Sequence, residues 1–231
     1  MITKEEFEAN LNDLRSKIED ACELYGRKKE SISILPVTKN WPSDAVKYCK
    51  DSGLIRVGEN RVQEALVKLQ EFPDVDYELI GHLQGNKAKL AVGNFKRIQT
   101  IDSLKILQKV AELAQRKSII QRILIQVNSG NDPAKFGVSL EDAELLVEHS
   151  INMDYIEVEG LMTIAPLSNG DSSITSHCFS KLRKLRDELL QNTGAKLDEL
   201  SMGMSGDLKT AIAEGSTMIR VGSALFGKRE N

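Results

Sequence analysis

Lys39, in the run Ser33-Ile-Leu-Pro-Val-Thr-Lys39-Asn-Trp41, and Arg220, followed by Gly222-Ser223, are the residues of this 231-residue chain whose types and positions could do chemistry together. Ile34, Leu35 and Val37 form the short apolar run of a buried parallel strand, and Pro42-Ser43-Asp44 then starts a helix. Lys39 therefore falls at a strand's C-terminal end, where α/β folds bind ligands. An amine held there beside low-dielectric walls can lose its proton and attack a carbonyl. Taken alone, a lysine in such a place is more often a solvated loop residue, so the other strand ends must decide.

Those ends carry Asn60, His82, Asn128 with Lys135, Ser205, and finally Arg220 with Gly222 and Ser223. Ser205-Gly206 precedes a helix start at Asp207, and Gly222-Ser223 lies one strand along. Small residues there leave backbone amides open, and a short helix adds the positive end of its dipole, which together suit a phosphate. Tight turns alone would explain either pair; both pairs at neighbouring strand ends favour phosphate. A strand-end lysine opposite such a cup is the arrangement that holds pyridoxal 5'-phosphate, the lysine serving as the Schiff-base amine. Strand periodicity turns the Arg220 side chain to the same face as Gly222. A guanidinium at the ring nitrogen would keep that nitrogen unprotonated and the ring a poor electron sink. The plainer alternative for Arg220 is a salt bridge at the barrel end.

The elements that must position these groups are legible in order. A capping box at Thr3-Lys-Glu-Glu6 and apolar residues every three or four positions from Phe7 to Tyr25 predict a helix over 3–25. After the Lys39 strand come a helix over 43–51, a strand over 54–57, a helix from Val62, a strand over 77–80, a short helix to 92 and a strand over 98–101. A helix capped by Asp102 or Ser103, a strand over 122–127, a helix over 139–150 capped by Ser139, a strand over 156–162 and a helix over 173–192 continue the alternation. A strand over 200–205, a short helix capped by Asp207, and an eighth strand over 218–226 complete it. Eight strand and helix alternations in this length predict a single (β/α)8 TIM barrel with an extra N-terminal helix, one domain over 1–231, with a doubly wound open sheet as the alternative.

Composition excludes several classes of function. Thirty-one basic residues among 34 acidic ones, net charge −3, leave no electrostatic footprint for nucleic acid or an anionic membrane. No apolar run approaches a membrane span and no leader pattern opens the chain, so a cytoplasmic location is expected. Cys22, Cys49 and Cys178, with His82, His149 and His177, have neither disulfide nor zinc spacing and read as reduced structural thiols.

Val37-Thr-Lys39, Gly58-Glu-Asn-Arg-Val-Gln-Glu64, Ile80-Gly-His-Leu-Gln-Gly-Asn-Lys87, Leu200-Ser-Met-Gly-Met-Ser205 and Gly215-Ser-Thr-Met-Ile-Arg-Val-Gly-Ser-Ala-Leu-Phe-Gly227 resemble the YggS/PROSC family of pyridoxal-phosphate homeostasis proteins over nearly the whole chain. The resemblance implies an alanine-racemase-like barrel with the cofactor on Lys39. It places Asn60 in the pocket lining, Arg220 at the ring nitrogen, and Met204, Ser205, Gly222 and Ser223 around the phosphate. Three positions depart from the family pattern: Asn40 stands in place of threonine or tyrosine, Gly85 in place of serine, and Gly206 in place of a second aspartate.

Two functions of different class follow, a cofactor carrier and a fold-type III amino-acid racemase. A racemase needs a second acid/base opposite the lysine, which in those enzymes is a tyrosine of the partner subunit's added β-domain. Tyr25 and Tyr48 fall on helices, Tyr77 and Tyr155 at strand beginnings, and little chain follows the eighth strand. A monomeric carrier that passes the cofactor to apo-enzymes is therefore expected. A serine-hydrolase elbow at Gly203-Met-Ser205-Gly-Asp207 lacks the glycine two places after the serine. Lys135 is expected over the same rim, as a relay amine, a source of positive charge, or a surface residue.

Overall fold

The computed structural model describes residues 2–166 and 171–227; residues 1, 167–170 and 228–231 of the domain expected over 1–231 lie outside these. The chain opens with α1 (Lys4–Leu24) and a 3-10 turn (Lys29–Ser31), then runs β1 (Ser33–Pro36), α2 (Asp44–Asp51), β2 (Arg56–Glu59), α3 (Val62–Glu71), β3 (Asp76–Leu79) and α4 (Ala88–Ala91). It continues through β4 (Arg97–Ile101), α5 (Leu104–Lys117), β5 (Gln121–Gln126), α6 (Leu140–Ile151), β6 (Ile156–Met162) and α7 (Ser172–Thr193). It ends with β7 (Glu199–Ser201), α8 (Leu208–Ala213), β8 (Met218–Val221) and α9 (Ser223–Phe226).

All strand pairings are parallel, in the order β1-β8-β7-β6-β5-β4-β3-β2. The ring closes through the Val37–Gly58 bridge and the Thr38 amide donating to the Gly58 carbonyl at 3.1 Å. This is the expected barrel and not the open sheet. Every strand's C-terminal end therefore lies on one rim. Among the described residues no helix is long and apolar enough to cross a membrane, and all three cysteines are buried and free.

The caps follow the sequence where the local chemistry is self-sufficient. Thr3 and Glu6 exchange both capping-box bonds, and Ser103 and Ser139 accept from Ile106 and Asp142 amides. Phe7, Leu11, Leu14, Ile18 and Cys22 then face the core; at ~1.5–3 kcal/mol for each fully buried large apolar side chain, packing outweighs the ~1 kcal/mol of a cap.

Three expectations need correction at the end of the chain. β7 stops at Ser201, 202–204 is irregular and the turn comes at 205–207, with Gly203 at φ +96° where a side chain would be strained. Asp207 makes no cap bond to α8 but turns its carboxylate back onto the Met204 amide at 2.5 Å. The eighth strand ends at Val221, and 223–226 is α9, because Gly222 breaks the ladder and the Leu225 and Phe226 amides fold back onto its carbonyl.

The barrel interior is divided. Leu35, Val37, Ile80 and Met218 form an apolar cluster. Met218 also touches a polar column, in which Arg220 donates to the Ser201 hydroxyl (2.7 Å), which donates to Gln99 Oε1 (2.6 Å). Gln99 Nε2 donates to Glu78 (2.6 Å), which pairs with Arg97 (2.8 Å). This polar column joins the two ends of the barrel.

Candidate functional site

Lys39 lies two residues beyond the Val37 bridge and directly after Thr38, whose amide bonds the Gly58 carbonyl, and its position shares the inward parity of Leu35 and Val37. The Val37 amide donates to the Val221 carbonyl at 2.8 Å, and a Cβ on Gly222 would sit 3.5 Å from the Val37 carbonyl. The lysine's strand end and the Gly222 turn are thus direct neighbours. Lys39 is half-buried there. Asn40 follows at φ +59°, a left-handed conformation that asparagine tolerates and a β-branched threonine resists. That is a physical reason for the first of the three departures from the family pattern.

Two loops meet beside it. The Ser205 hydroxyl accepts from the Ala224 amide at 3.2 Å, so the turn after β7 is tied to the first turn of α9. The amide of Ser223, next along, has no acceptor within its own helix, and its side chain is exposed beside a half-buried Gly222. The Met204 amide is committed to Asp207, which leaves Met204 to contribute a 39 % exposed side chain to the rim and no amide. Behind the cradle, α1 braces α9: Phe7 stacks on Phe226 with ring centroids 5.3 Å apart, and Asn10 Nδ2 donates to the Leu225 carbonyl at 3.0 Å.

Arg220 is 4 % exposed and donates to the Ser201 carbonyl (2.6 Å), the Ser201 hydroxyl (2.7 Å) and the Thr163 carbonyl (2.7 Å). Burial pushes its ionisation down to about 10, with Asp207 opposing the shift. Burial in turn raises the Asp207 carboxyl, against the Met204 amide and Arg220. The salt bridge expected as the plain alternative is not how Arg220 is held; its acceptors are neutral.

Asn60 follows β2, and its carbonyl packs so closely on the next strand end that a Cβ at Gly81 would lie 2.2 Å from it. Asn60 is half-buried on that rim. Lys135 sits in the loop after β5, which Asn128 pins through Asp132 (2.9 and 3.1 Å) and which reaches across to β3 by stacking Phe136 on His82, centroids 3.9 Å apart. His82 is held by Asp102 at 2.9 Å. The structure therefore gathers Lys39, Ser205, Arg220, Gly222 and Ser223 at the ends of β1, β7 and β8. Asn60 flanks them on β2, and the Lys135 loop is anchored on the far side.

Ser201, Thr163, Glu59, Glu64 and Lys68 escaped sequence reasoning. Glu59 and Glu64 stand in the Gly58–Glu64 motif, where only Asn60 drew a role, and Lys68 looks like any helical lysine. Chemically the arrangement offers an amine, an oxyanion cradle of hydroxyls and amides, and a buried guanidinium between them.

The model of the alanine racemase N-terminal domain family matches residues 2–230. A pyridoxal phosphate homeostasis protein of Aquifex aeolicus is 37 % identical over 222 residues, covering 95 % of this chain and 97 % of that protein. The chain belongs to this family. Among solved structures, PipY of Synechococcus elongatus PCC7942, the COG0325 family member, determined with PLP bound, is 34 % identical. It superimposes with a TM-score of 0.81 over 91 % of this chain and 99 % of that one. An alanine racemase of Clostridium difficile 630 shares the fold at 18 % identity and a TM-score of 0.81, over 98 % of this chain and 58 % of that one. The barrel of the family is the barrel described above.

Proposed function

We propose that this protein binds pyridoxal 5'-phosphate and takes part in intracellular vitamin B6 homeostasis as a carrier, not as a racemase. The observation that carries the reading is the juxtaposition of the Lys39 strand end with the Gly222 turn, tied through Ala224 to Ser205. Its support from relatives is the PLP-bound PipY and the homeostasis proteins of the same family. The site fits the group on its own chemistry, since the Ser223 amide and the Ser205 and Ser223 hydroxyls suit a phosphate, and Arg220 is a buried cation with neutral acceptors.

Bound there, the cofactor supplies an aldehyde for a lysine amine to hold covalently. Lys39 would be that amine, Ser205, Gly222 and Ser223 would hold the phosphate, Arg220 would serve the ring nitrogen, and Asn60 and Met204 would line the pocket. The Arg220 guanidinium, fixed by Ser201 and Thr163, is a donor with no proton to accept, and beside the ring nitrogen it would disfavour protonation there. None of the four tyrosines lies on the rim: Tyr48 is in α2, Tyr77 begins β3, Tyr155 precedes β6 and Tyr25 ends α1. The protein works as a single-domain monomer in the cytoplasm and delivers the cofactor to apo-enzymes that require it.

Loading the purified protein with pyridoxal 5'-phosphate, reducing with borohydride and mapping peptides by mass tests the assignment. The expected result is one adduct per chain, on Lys39, absent from Lys39→Ala while that variant keeps its fold, because a rim side chain adds little to the core. Undiminished trapping in Lys39→Ala overturns it.

A further inference from the structure

Behind the Lys39 turn lies a cluster of charge that the cofactor hold does not use. Lys68 of α3 is 3 % exposed and donates from its ammonium to the Thr38 carbonyl (2.7 Å), Glu59 Oε1 (2.7 Å) and Glu64 Oε1 (3.1 Å). These acceptors match the three hydrogens an ammonium carries. Thr38 Oγ1 donates to the same Glu59 oxygen at 2.6 Å, and the Asn40 amide donates to Glu64 Oε1 at 2.5 Å. The residue before Lys39 is thus held by its carbonyl and hydroxyl, and the residue after it by its amide. All three bonds lead to one ammonium and its two carboxylates.

The arrangement is poor value as stabilisation. Glu59 is fully buried, its second oxygen Oε2 has no hydrogen-bond partner, and burial raises its carboxyl despite Lys68 and Thr38. Buried ion pairs can often be replaced by apolar side chains of similar volume without loss of stability, whereas charges in fixed geometry give position. Position is what the site needs. A ligand gripped by its phosphate at β7 and β8 presents its aldehyde at a set place, and the lysine on β1 must reach that place.

We propose that Lys68, with Glu59 and Glu64, is a positioning clamp that fixes the backbone on both sides of Lys39, so that the amine meets the aldehyde of a phosphate-anchored ligand. The inference rests on the reading of Lys39 as the attachment residue. Capture is a condensation: the lysine nitrogen bonds to the aldehyde carbon, and the carbonyl oxygen leaves as water with the two amine hydrogens. No oxidant or reductant enters.

Two ligands separate positioning from general integrity. Pyridoxal 5'-phosphate can be captured; pyridoxamine 5'-phosphate has the same ring and phosphate but no aldehyde. Lys68→Met is expected to lower covalent capture, read by absorbance and borohydride trapping, by about 10- to 100-fold, the scale of an ångström-sized misplacement, and to leave pyridoxamine 5'-phosphate affinity within about threefold. Glu64→Ala, at a partly exposed position, is expected to lose capture in the same selective way. In the ligand-free protein it should also speed hydrogen exchange at the Asn40 amide. It carries the test if Lys68→Met fails to fold. Parallel loss of both ligands, or unchanged capture in a folded variant, overturns the clamp. Wild-type protein that traps nothing on Lys39 overturns the attachment reading along with it; wild-type trapping with unaffected variants overturns the clamp alone.

Discussion

The barrel buries an arginine at each end, and the two are treated in opposite ways. At the N-terminal end Arg97 pairs with Glu78 (2.8 Å), Glu159 (2.9 Å) and Glu199 (2.8 Å). Burial alone would disfavour its charge, yet these carboxylates push its ionisation above the usual guanidinium range. At the C-terminal end Arg220 meets two carbonyls and a hydroxyl, and its ionisation falls to about 10. One cation is saturated with counter-charge and plugs the barrel. The other is left electrostatically short of a partner, with Asp207 acting on it from the loop after β7. The difference sets the C-terminal end, where the cofactor is proposed to bind, apart from the N-terminal end.

The largest expected effect is on the saturated end. Arg97→Met strands three carboxylates and should cost about 3–5 kcal/mol in denaturant unfolding, with cofactor affinity unchanged per folded molecule. A loss below 1 kcal/mol would remove the contrast between the ends. Next comes the cradle. Ser205→Glu combined with Ser223→Asp should weaken pyridoxal 5'-phosphate by about 100-fold while leaving pyridoxal, which has no phosphate, within about threefold. Equal losses for the two ligands would mean that the phosphate sits elsewhere.

Arg220→Met should cost only about 1–3 kcal/mol, the penalty of carbonyls left without donors, and should shift the absorbance of bound cofactor. The pH response sharpens the point. A guanidinium whose folded ionisation lies below its unfolded one binds fewer protons folded than unfolded between the two values, so its burial penalty is relieved as pH rises through about 10. Wild-type stability should therefore gain on Arg220→Met as pH rises from about 9 to 10.5, with no such gain relative to Arg97→Met. The smallest effect belongs to Lys135→Ala, which should change cofactor release by less than about threefold, and more at low salt than at high.

Most of the barrel was legible because its signals are local: a capping box at Thr3, serine caps at Ser103 and Ser139, apolar runs closed by glycine. What the sequence hid depends on partners far along the chain. Asp207 reads as an N-cap by type, but the turn at Gly203 offers it the Met204 amide instead. Residues 223–226 read as strand by composition, but Gly222 starts a helical turn against Phe7. In the site, Lys39, Ser205, Arg220 and Ser223 announced themselves by residue type at strand ends. Lys68 could not, since its burial follows from Glu59 and the Thr38 carbonyl, 9 and 30 positions away.

The brace between α1 and α9 also sets an order of events. Asn10 and Leu225 are separated by 215 positions, so the helix that closes the cradle waits for the last part of the chain to meet the first. Strand pairings from β2 to β7 link sequence neighbours and can form as the ribosome delivers them. The Ser205–Ala224 junction should therefore be among the last contacts formed during synthesis. A chain cut before α9 should carry most of the barrel and lack the phosphate hold proposed above.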